Sequence, residues 1–185
     1  MALQSALVPL GTPTPDFTLP DLNGEWLSLG DFAHQDVLVV VFACNHCPYV
    51  QHIESALAAL SREFSDVAFV AICSNDPTTY PEDDLDHLRQ QVERAGWTFP
   101  YLVDESQDVA RAFRAVCTPD FFAYSADRTL AYRGAFDAST PGNDLVVDGS
   151  ALRAALTRLA AGQPVPEPHR PSMGCGIKWK SALPS

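Results

Sequence analysis

The sequence predicts an α/β fold in which helices flank a central mixed sheet. Two apolar runs, residues 37–43 and 67–73, do not alternate with polar positions, which is typical of strands covered on both faces. Between them, apolar residues recur every three or four positions from Pro48 to Phe64, as in an amphipathic helix. Strands that alternate with helices indicate a mostly parallel sheet, and a hairpin late in the chain adds an antiparallel edge.

The flanking elements follow from turn and capping residues. Near the start, residues 16–19 and 25–29 predict a β-hairpin across Asn23-Gly24. After the second buried strand, a helix is expected over residues 81–95, where Gly96 ends it.

The second half continues the alternation. A short strand is expected over residues 99–103, followed by a helix that Ser106 caps. Residues 121–124 and 130–133 predict the closing hairpin, and leucines at 152, 156 and 159 mark the last helix. We expect one domain over residues 1–162, with a Pro-rich tail, residues 163–185, packed on or near it.

Composition excludes several function classes. The 185 residues carry a formal net charge of −11, which argues against binding to nucleic acids or anionic membranes. No segment approaches the ~18 apolar residues of a membrane span, and the first residues make a poor signal peptide. We therefore expect a cytoplasmic protein without a cofactor; the oligomeric state is open.

The motif Cys44-Asn45-His46-Cys47-Pro48 follows the first buried strand directly. Two thiols on one helical turn, where a strand ends and a helix begins, form an exchangeable redox couple more often than a structural disulfide. The free N–H groups at a helix N-terminus stabilise a thiolate. We expect Cys44 to be exposed there as the nucleophile, and Cys47, one turn deeper, to resolve the mixed disulfide.

Other interpretations of the motif remain open. The pair is alternatively a buried inert couple or half of a zinc site, although no second ligand pair is apparent. Copper is a further alternative, with Cys44, Cys47, His46 and His52 as soft ligands. His46 either makes the couple more oxidising or merely faces solvent. We favour redox chemistry and expect no metal.

Three further cysteines lie outside the motif, and an odd total of five argues against a disulfide framework. Cys73 ends an apolar strand and is expected in the core. Cys117 is either a third redox thiol or a small buried filler, and we favour the filler. Cys175, in a Gly-Cys-Gly setting, is either a resolving thiol or incidental to a packed tail, and we favour the packed tail. Glu54 is expected as a solvated surface acid rather than a proton acceptor.

Three stretches carry a resemblance to a known family. The element order resembles the thioredoxin fold, with an insert in its βαβ half. Residues 15–19 with Asn23-Gly24, residues 44–50 and residues 118–122 resemble the AhpC/TSA peroxiredoxin-like family and its TlpA/ResA relatives. The tail segment 174–180 resembles one peroxiredoxin-like subgroup.

The resemblance carries expectations for the site. It implies that Pro119 is cis and that the Thr118 backbone lies exposed beside the thiols, where a substrate chain can pair with it. The strand before the motif lacks the buried acid of thioredoxin. In a peroxiredoxin alignment Cys47 takes the peroxidatic place, and Cys44 replaces a threonine.

The sequence therefore predicts a thiol–disulfide oxidoreductase that acts on protein or small-molecule disulfides and thiols. The first alternative is a thiol peroxidase that reduces hydroperoxides, with antioxidant activity. The second is a copper-binding or client-binding protein without turnover. The direction of electron flow is open.

Overall fold

Residues 2–180 are described by the structure, a computed structural model. Its strands are β1 Ala2–Gln4, β2 Thr18–Pro20, β3 Trp26–Ser28, β4 Val37–Phe42, β5 Val67–Cys73, β6 Tyr101–Val103, β7 Cys117–Thr118, β8 Asp120–Tyr124, β9 Leu130–Gly134 and β10 Met173–Gly176. Its helices are α1 Pro48–Glu63, α2 Leu85–Ala95, α3 Asp108–Phe113 and α4 Ser150–Ala160, with 3-10 turns at Leu29–Phe32 and Pro81–Asp83.

The central sheet has five strands in the order β6-β5-β4-β8-β9. Strands β4, β5 and β6 are parallel, whereas β8 runs antiparallel to both β4 and β9. The mixed sheet with an antiparallel edge is therefore confirmed. The functional motif leaves the sheet at the end of its central strand, β4.

Strand β4 is covered on both faces, as its unalternating sequence predicts. Val39 and Val41 pack into the core layer that contains the inward face of α1. Leu38 and Val40 pack into the opposite layer with Phe113 of α3. All four side chains are fully buried, so the strand gives the motif a rigid base.

Two smaller sheets flank the central one. The predicted N-terminal hairpin is present, with Leu19 of β2 opposite Leu27 of β3. The second small sheet, in the order β1-β10-β7, was not predicted. It joins the C-terminal tail to β7, immediately before Pro119. Met1 and residues 181–185, the end of the predicted tail, lie outside the described residues.

Two predicted helix starts differ in detail. The helix expected over residues 81–95 is divided, because Asp84 takes extended backbone angles and accepts a 3.0 Å hydrogen bond from the His87 N–H. Asp84 is thus the N-cap of α2. The α3 N-cap is Gln107, in left-handed conformation, rather than Ser106. The Ser106 hydroxyl still accepts from the Asp108 N–H at 3.1 Å. In the described part of the chain, no helix is long and apolar enough to cross a bilayer.

Candidate active site

The motif lies in the turn between β4 and α1. Cys47 is the N-cap of α1, and Pro48 occupies the first helical turn, as expected. Cys44 and Cys47 are both 0% exposed. The expectation that Cys44 is exposed at the helix end is wrong, because Cys47 takes the helix N-terminus and Cys44 lies in the buried turn before it.

Thr118 contacts both thiols of the motif. Its hydroxyl lies 3.2 Å from Cys44 Sγ, and its carbonyl oxygen lies 3.1 Å from Cys47 Sγ. The Thr118-Pro119 peptide is cis, as predicted. The backbone edge at Thr118 is not free for a substrate chain, however. Cys175 of β10 pairs with Thr118, and Thr118 is buried.

Cys175 packs against the core layer that contains Cys47. Its register opposite Thr118 brings its side chain onto the core layer that contains both motif cysteines. The nearby thiol and backbone N–H of Cys175 both contribute to the lowered pKa of Cys47. Cys175 is only half-buried, so it is the most accessible of the three clustered thiols.

The hydrogen bonds set where the negative charge resides. Donation from Cys44, followed by donation from Cys175 and Thr118, lowers the pKa of Cys47 to about 5 against the opposing effect of burial. The Thr118 carbonyl favours the protonated thiol, but the donors outweigh it. The bond to Cys47 and burial raise the pKa of Cys44 well above its usual value. These directions favour Cys47 as the thiolate of the pair, whereas the sequence suggested Cys44.

The other two cysteines are core residues. Cys73 is buried at the end of β5, and burial raises the pKa of its thiol to about 12. Cys117 is fully buried in β7, and burial likewise raises its pKa. Its sulfur lies 3.8 Å from the carbonyl oxygen of Pro119. Both thiols are inert in this geometry.

Asp83 is a buried acid that the sequence analysis missed. Its carboxylate accepts hydrogen bonds from the backbone N–H groups of Asn45 (2.8 Å) and His46 (3.1 Å). The Asn75 side chain donates to it as well, at 2.7 Å. Asp83, at the end of the 3-10 turn Pro81–Asp83, thus holds the motif turn in place. Its neighbours Glu82 and Asp84 are also acids, so the sequence does not distinguish Asp83 from a surface acid. Strand β4 itself holds no acid, as expected.

His46 does not simply face solvent. Its Nδ1 lies 2.6 Å from an Asp83 oxygen, and its ring stacks on Tyr80 with centroids 5.4 Å apart. The side chain is 22% exposed. His46 therefore links the motif to residues 80–83, and its ring is held by one hydrogen bond and one aromatic stack.

Glu54 is buried, so the expected surface acid is wrong. It forms a two-bond ion pair with Arg94, at 2.7 and 3.0 Å, and accepts from Gln91 at 3.0 Å. Arg94 also donates to the Asn45 side chain at 2.9 Å, and Gln91 donates to the Cys44 carbonyl at 3.2 Å. This network joins α1 to α2 and holds the carbonyl of Cys44 and the side chain of Asn45 in place. Because Glu54 is paired, it is not a free proton acceptor.

Asp120, directly after Pro119, is a second buried acid that the sequence analysis did not single out. It faces the core layer of Phe122, and one of its oxygens has no hydrogen-bond partner. Burial raises the pKa of Asp120 to about 8. Nothing in its sequence context, Thr-Pro-Asp-Phe-Phe, distinguishes it from a turn aspartate.

The side chains that lie close enough to share a metal ion differ from the copper ligands that the sequence suggested. Among the described residues, Cys44, His46 and Asp83 offer ligand atoms within 4.8 Å of one another. His52 does not join them, since its Nε2 lies 3.0 Å from the Ser139 hydroxyl. Both Asp83 oxygens already accept hydrogen bonds, including one from His46. A metal would have to replace these bonds, so the geometry favours a turn held by hydrogen bonds.

The sheet order, the cis-proline and the thiols at the start of α1 define a thioredoxin-fold protein. The AhpC/TSA family model matches residues 10–136, which is most of the chain, and the chain belongs to this family. No curated protein matched.

Solved structures agree with the fold. A hypothetical protein from Sinorhizobium meliloti is similar over 97% of this chain and 99% of its own, with 43% identity and a TM-score of 0.95. An uncharacterised conserved protein from Geobacillus kaustophilus has the same identity and TM-score, over 99% of this chain and 98% of its own. A secreted disulfide oxidoreductase of Mycobacterium tuberculosis is 20% identical, with a TM-score of 0.59, over 76% of this chain and 95% of its own. That last likeness shows the fold alone.

Proposed function

We propose that this protein is a thiol–disulfide oxidoreductase whose redox centre is the Cys44–Cys47 motif, with Cys47 as the attacking thiolate. The observation that carries the proposal is the position of Cys47 as the N-cap of α1, next to Thr118 and one turn from Cys44. The lowered pKa of Cys47 is consistent with this position. A thiolate held at neutral pH is the nucleophile of disulfide exchange. Cys44, on the same turn, is the resolving partner that the spacing suggests.

Small-molecule disulfides are the favoured substrates. An extended substrate polypeptide would pair with the sheet edge at Thr118. That edge already carries β10, so a protein substrate would have to displace the tail first. We also propose the cytoplasmic location that the sequence predicts, because small thiols and disulfides are exchanged in that compartment.

The test is the reaction of the reduced protein with 2-hydroxyethyl disulfide, a small neutral disulfide. The wild type is expected to release 2-mercaptoethanol at neutral pH, and Cys44→Ser, which lacks the resolving thiol, is expected to retain the mixed disulfide on Cys47 by mass spectrometry. Cys47→Ser is expected to abolish the release, whereas Cys73→Ser, a control at a buried thiol outside the cluster, keeps it. A wild type that releases no 2-mercaptoethanol would rule out the proposal.

A thiol peroxidase is the second candidate, and one observation favours it. Cys47 is fully buried under β10, where a hydroperoxide fits more readily than a bulky disulfide. Attack of the thiolate on the peroxide would give a sulfenic acid on Cys47 and release the alcohol or water. Stopped-flow measurement with hydrogen peroxide decides, and a rate no faster than that of free cysteine excludes this candidate.

A further inference from the structure

A pocket opens beside the motif, between α1 and the C-terminal tail. It has a volume of about 230 Å³, and its walls include His52 of α1, Pro119, and Met173 of β10. Pro119 directly follows Thr118, whose carbonyl oxygen contacts the Cys47 sulfur. The volume lies below the ~300–1,000 Å³ of pockets for drug-sized ligands, so the pocket suits one side group of a small molecule.

Strand β10 runs from the pocket to the thiols. Met173 and Cys175 are two residues apart on this strand, so their side chains lie on the same face. Cys175 packs against the core layer that contains Cys44 and Cys47. Gln4 of β1 pairs with Met173 and also lines the pocket. A small molecule that fills the pocket can therefore extend to the motif.

One wall of the pocket, residues 137–140, contains an acid whose charge is offset by donors. Asp137 is buried and, among the described residues, is the one acid that lines the pocket. Its carboxylate accepts from the Ser139 hydroxyl at 2.5 Å and from three backbone N–H groups at 2.7–2.9 Å. Since the Ser139 proton points to Asp137, the Ser139 oxygen accepts from Nε2 of His52, 3.0 Å away. These four donors reduce the repulsion that Asp137 would exert on an anion in the pocket.

Arg170 supplies a cation at the edge of the pocket. It lines the pocket, it is exposed, and it takes part in none of the ion pairs of the described residues. Its backbone is held in place, because its carbonyl oxygen accepts from the Ala135 N–H at 2.8 Å. The formal net charge of −11 repels anions, so an anion needs a local cation to bind here. A guanidinium offers two parallel N–H donors to a carboxylate.

We propose that the pocket selects small disulfides that carry a carboxylate, and that Arg170 binds this carboxylate as the specificity-determining residue. This inference rests on the proposed function and names its substrate class. The Cys47 thiolate attacks one sulfur of R–S–S–R, in which R carries the carboxylate. The new bond is Cys47–S–S–R, and R–S⁻ leaves with the electron pair of the broken S–S bond. The pocket holds the carboxylate of the R group that stays on Cys47.

Three disulfides that share an S–CH₂–CH₂ unit separate charge from size. 3,3′-Dithiodipropionate is anionic, 2-hydroxyethyl disulfide is neutral and cystamine is cationic. The rate constant of thiol release by the reduced protein at neutral pH is divided by that of free cysteine with the same disulfide, which removes the difference in intrinsic reactivity. For the wild type, the normalised constant of the anionic disulfide is expected to be about fivefold above that of the neutral one, as for one exposed ion pair of good geometry. The constant of cystamine is expected to be the lowest, and added salt should reduce the anionic-to-neutral ratio.

Variants at two arginines assign the preference to the pocket. Arg170→Gln is expected to bring the anionic-to-neutral ratio to within about twofold of one, whereas Arg170→Lys, which keeps the charge, should retain most of the preference. Arg114→Gln is the matched control. Arg114 is likewise exposed and takes no part in the ion pairs of the described residues, but it lies outside the pocket. Its variant is expected to keep the wild-type ratio.

The outcomes distinguish this inference from the proposed function. Equal normalised constants for the three disulfides in the wild type, or a ratio that Arg170→Gln leaves unchanged, would overturn the inference while the reactivity of Cys47 stands. A ratio that falls equally in Arg170→Gln and Arg114→Gln would show a long-range effect of net charge and would overturn it as well. A wild type that releases thiol from none of the three disulfides overturns the proposed function, and this inference with it.

Discussion

The sulfur of Cys47 lies 3.1 Å from the carbonyl oxygen of Thr118. Thr118 also pairs with Cys175 across β7 and β10, and its hydroxyl contacts Cys44. Thr118, one of the two residues of β7, therefore contacts Cys44 and Cys47 and pairs with Cys175. Changes in the tail are expected to reach the motif through this strand.

The ionisation of Cys47 should depend on Cys44. Because Cys44 is the main hydrogen-bond donor to the Cys47 sulfur, Cys44→Ala is expected to raise the pKa of Cys47 from about 5 by about one unit or more. The measurement is the pH dependence of iodoacetamide alkylation at Cys47, followed by mass spectrometry. Cys73→Ala is the control and is expected to leave the pKa unchanged. Equal profiles for wild type and Cys44→Ala would contradict the assignment of the thiolate.

Asp83 should stabilise the motif turn. Asp83→Asn replaces one acceptor oxygen with an NH₂ group that faces the donors of Asn45, His46 and Asn75. The expected cost is about 1–3 kcal/mol in the free energy of unfolding, as for a buried donor left without an acceptor. Urea unfolding under reducing conditions measures it. Glu82→Gln, at the neighbouring position, is the matched control, and an equal loss in both variants would contradict this role.

Asp120 should make stability fall as pH rises. Folded Asp120 keeps its proton up to about pH 8, whereas an unfolded aspartate loses it near pH 4. Its stabilising contribution is complete below pH 4 and is lost as pH rises through 8. Asp120→Asn does not titrate, so its stability relative to the wild type should increase by about 1.4 kcal/mol per pH unit between pH 5 and 7.

The check is urea unfolding of both proteins at pH 5, 6 and 7. The contribution of Cys47 has the opposite sign in this range, but it is common to both proteins and cancels in their difference. Stability curves that stay parallel across these pH values would show that Asp120 is ionised in the folded protein.

Gly174 should control the docking of the tail. A methyl group at this position overlaps Thr118, so Gly174→Ala is expected to separate β10 from β7. Alkylation of Cys175 should then be faster, and the pKa of Cys47 should rise because one of its donors is lost. Gly30→Ala, where the nearest atom is 3.5 Å from an added Cβ, is the control. Unchanged Cys175 reactivity in Gly174→Ala would contradict the close approach.

The sequence by itself determined the central architecture and the position of the motif. The apolar run of β4 and the apolar period of α1 are local patterns, and they predict a strand and a helix without reference to the rest of the chain. The cis-proline at 119 followed from the family resemblance. These features depend on neighbouring residues or on short motifs, which a sequence displays directly.

Only the tertiary structure favours Cys47 over Cys44 as the thiolate. Cys47 owes its low pKa to donors at positions 44, 118 and 175, and the last two are distant in sequence. Asp83, Glu54 and Asp120 are ordinary surface acids by sequence, and only the packing of α2 and β8 shows that they are buried. Strand β10 spans four residues and depends on pairing with β7 and β1, so its local sequence carries no period that predicts it. Contacts between remote segments set the burial and the hydrogen bonds, and these in turn set the chemistry of the cysteines.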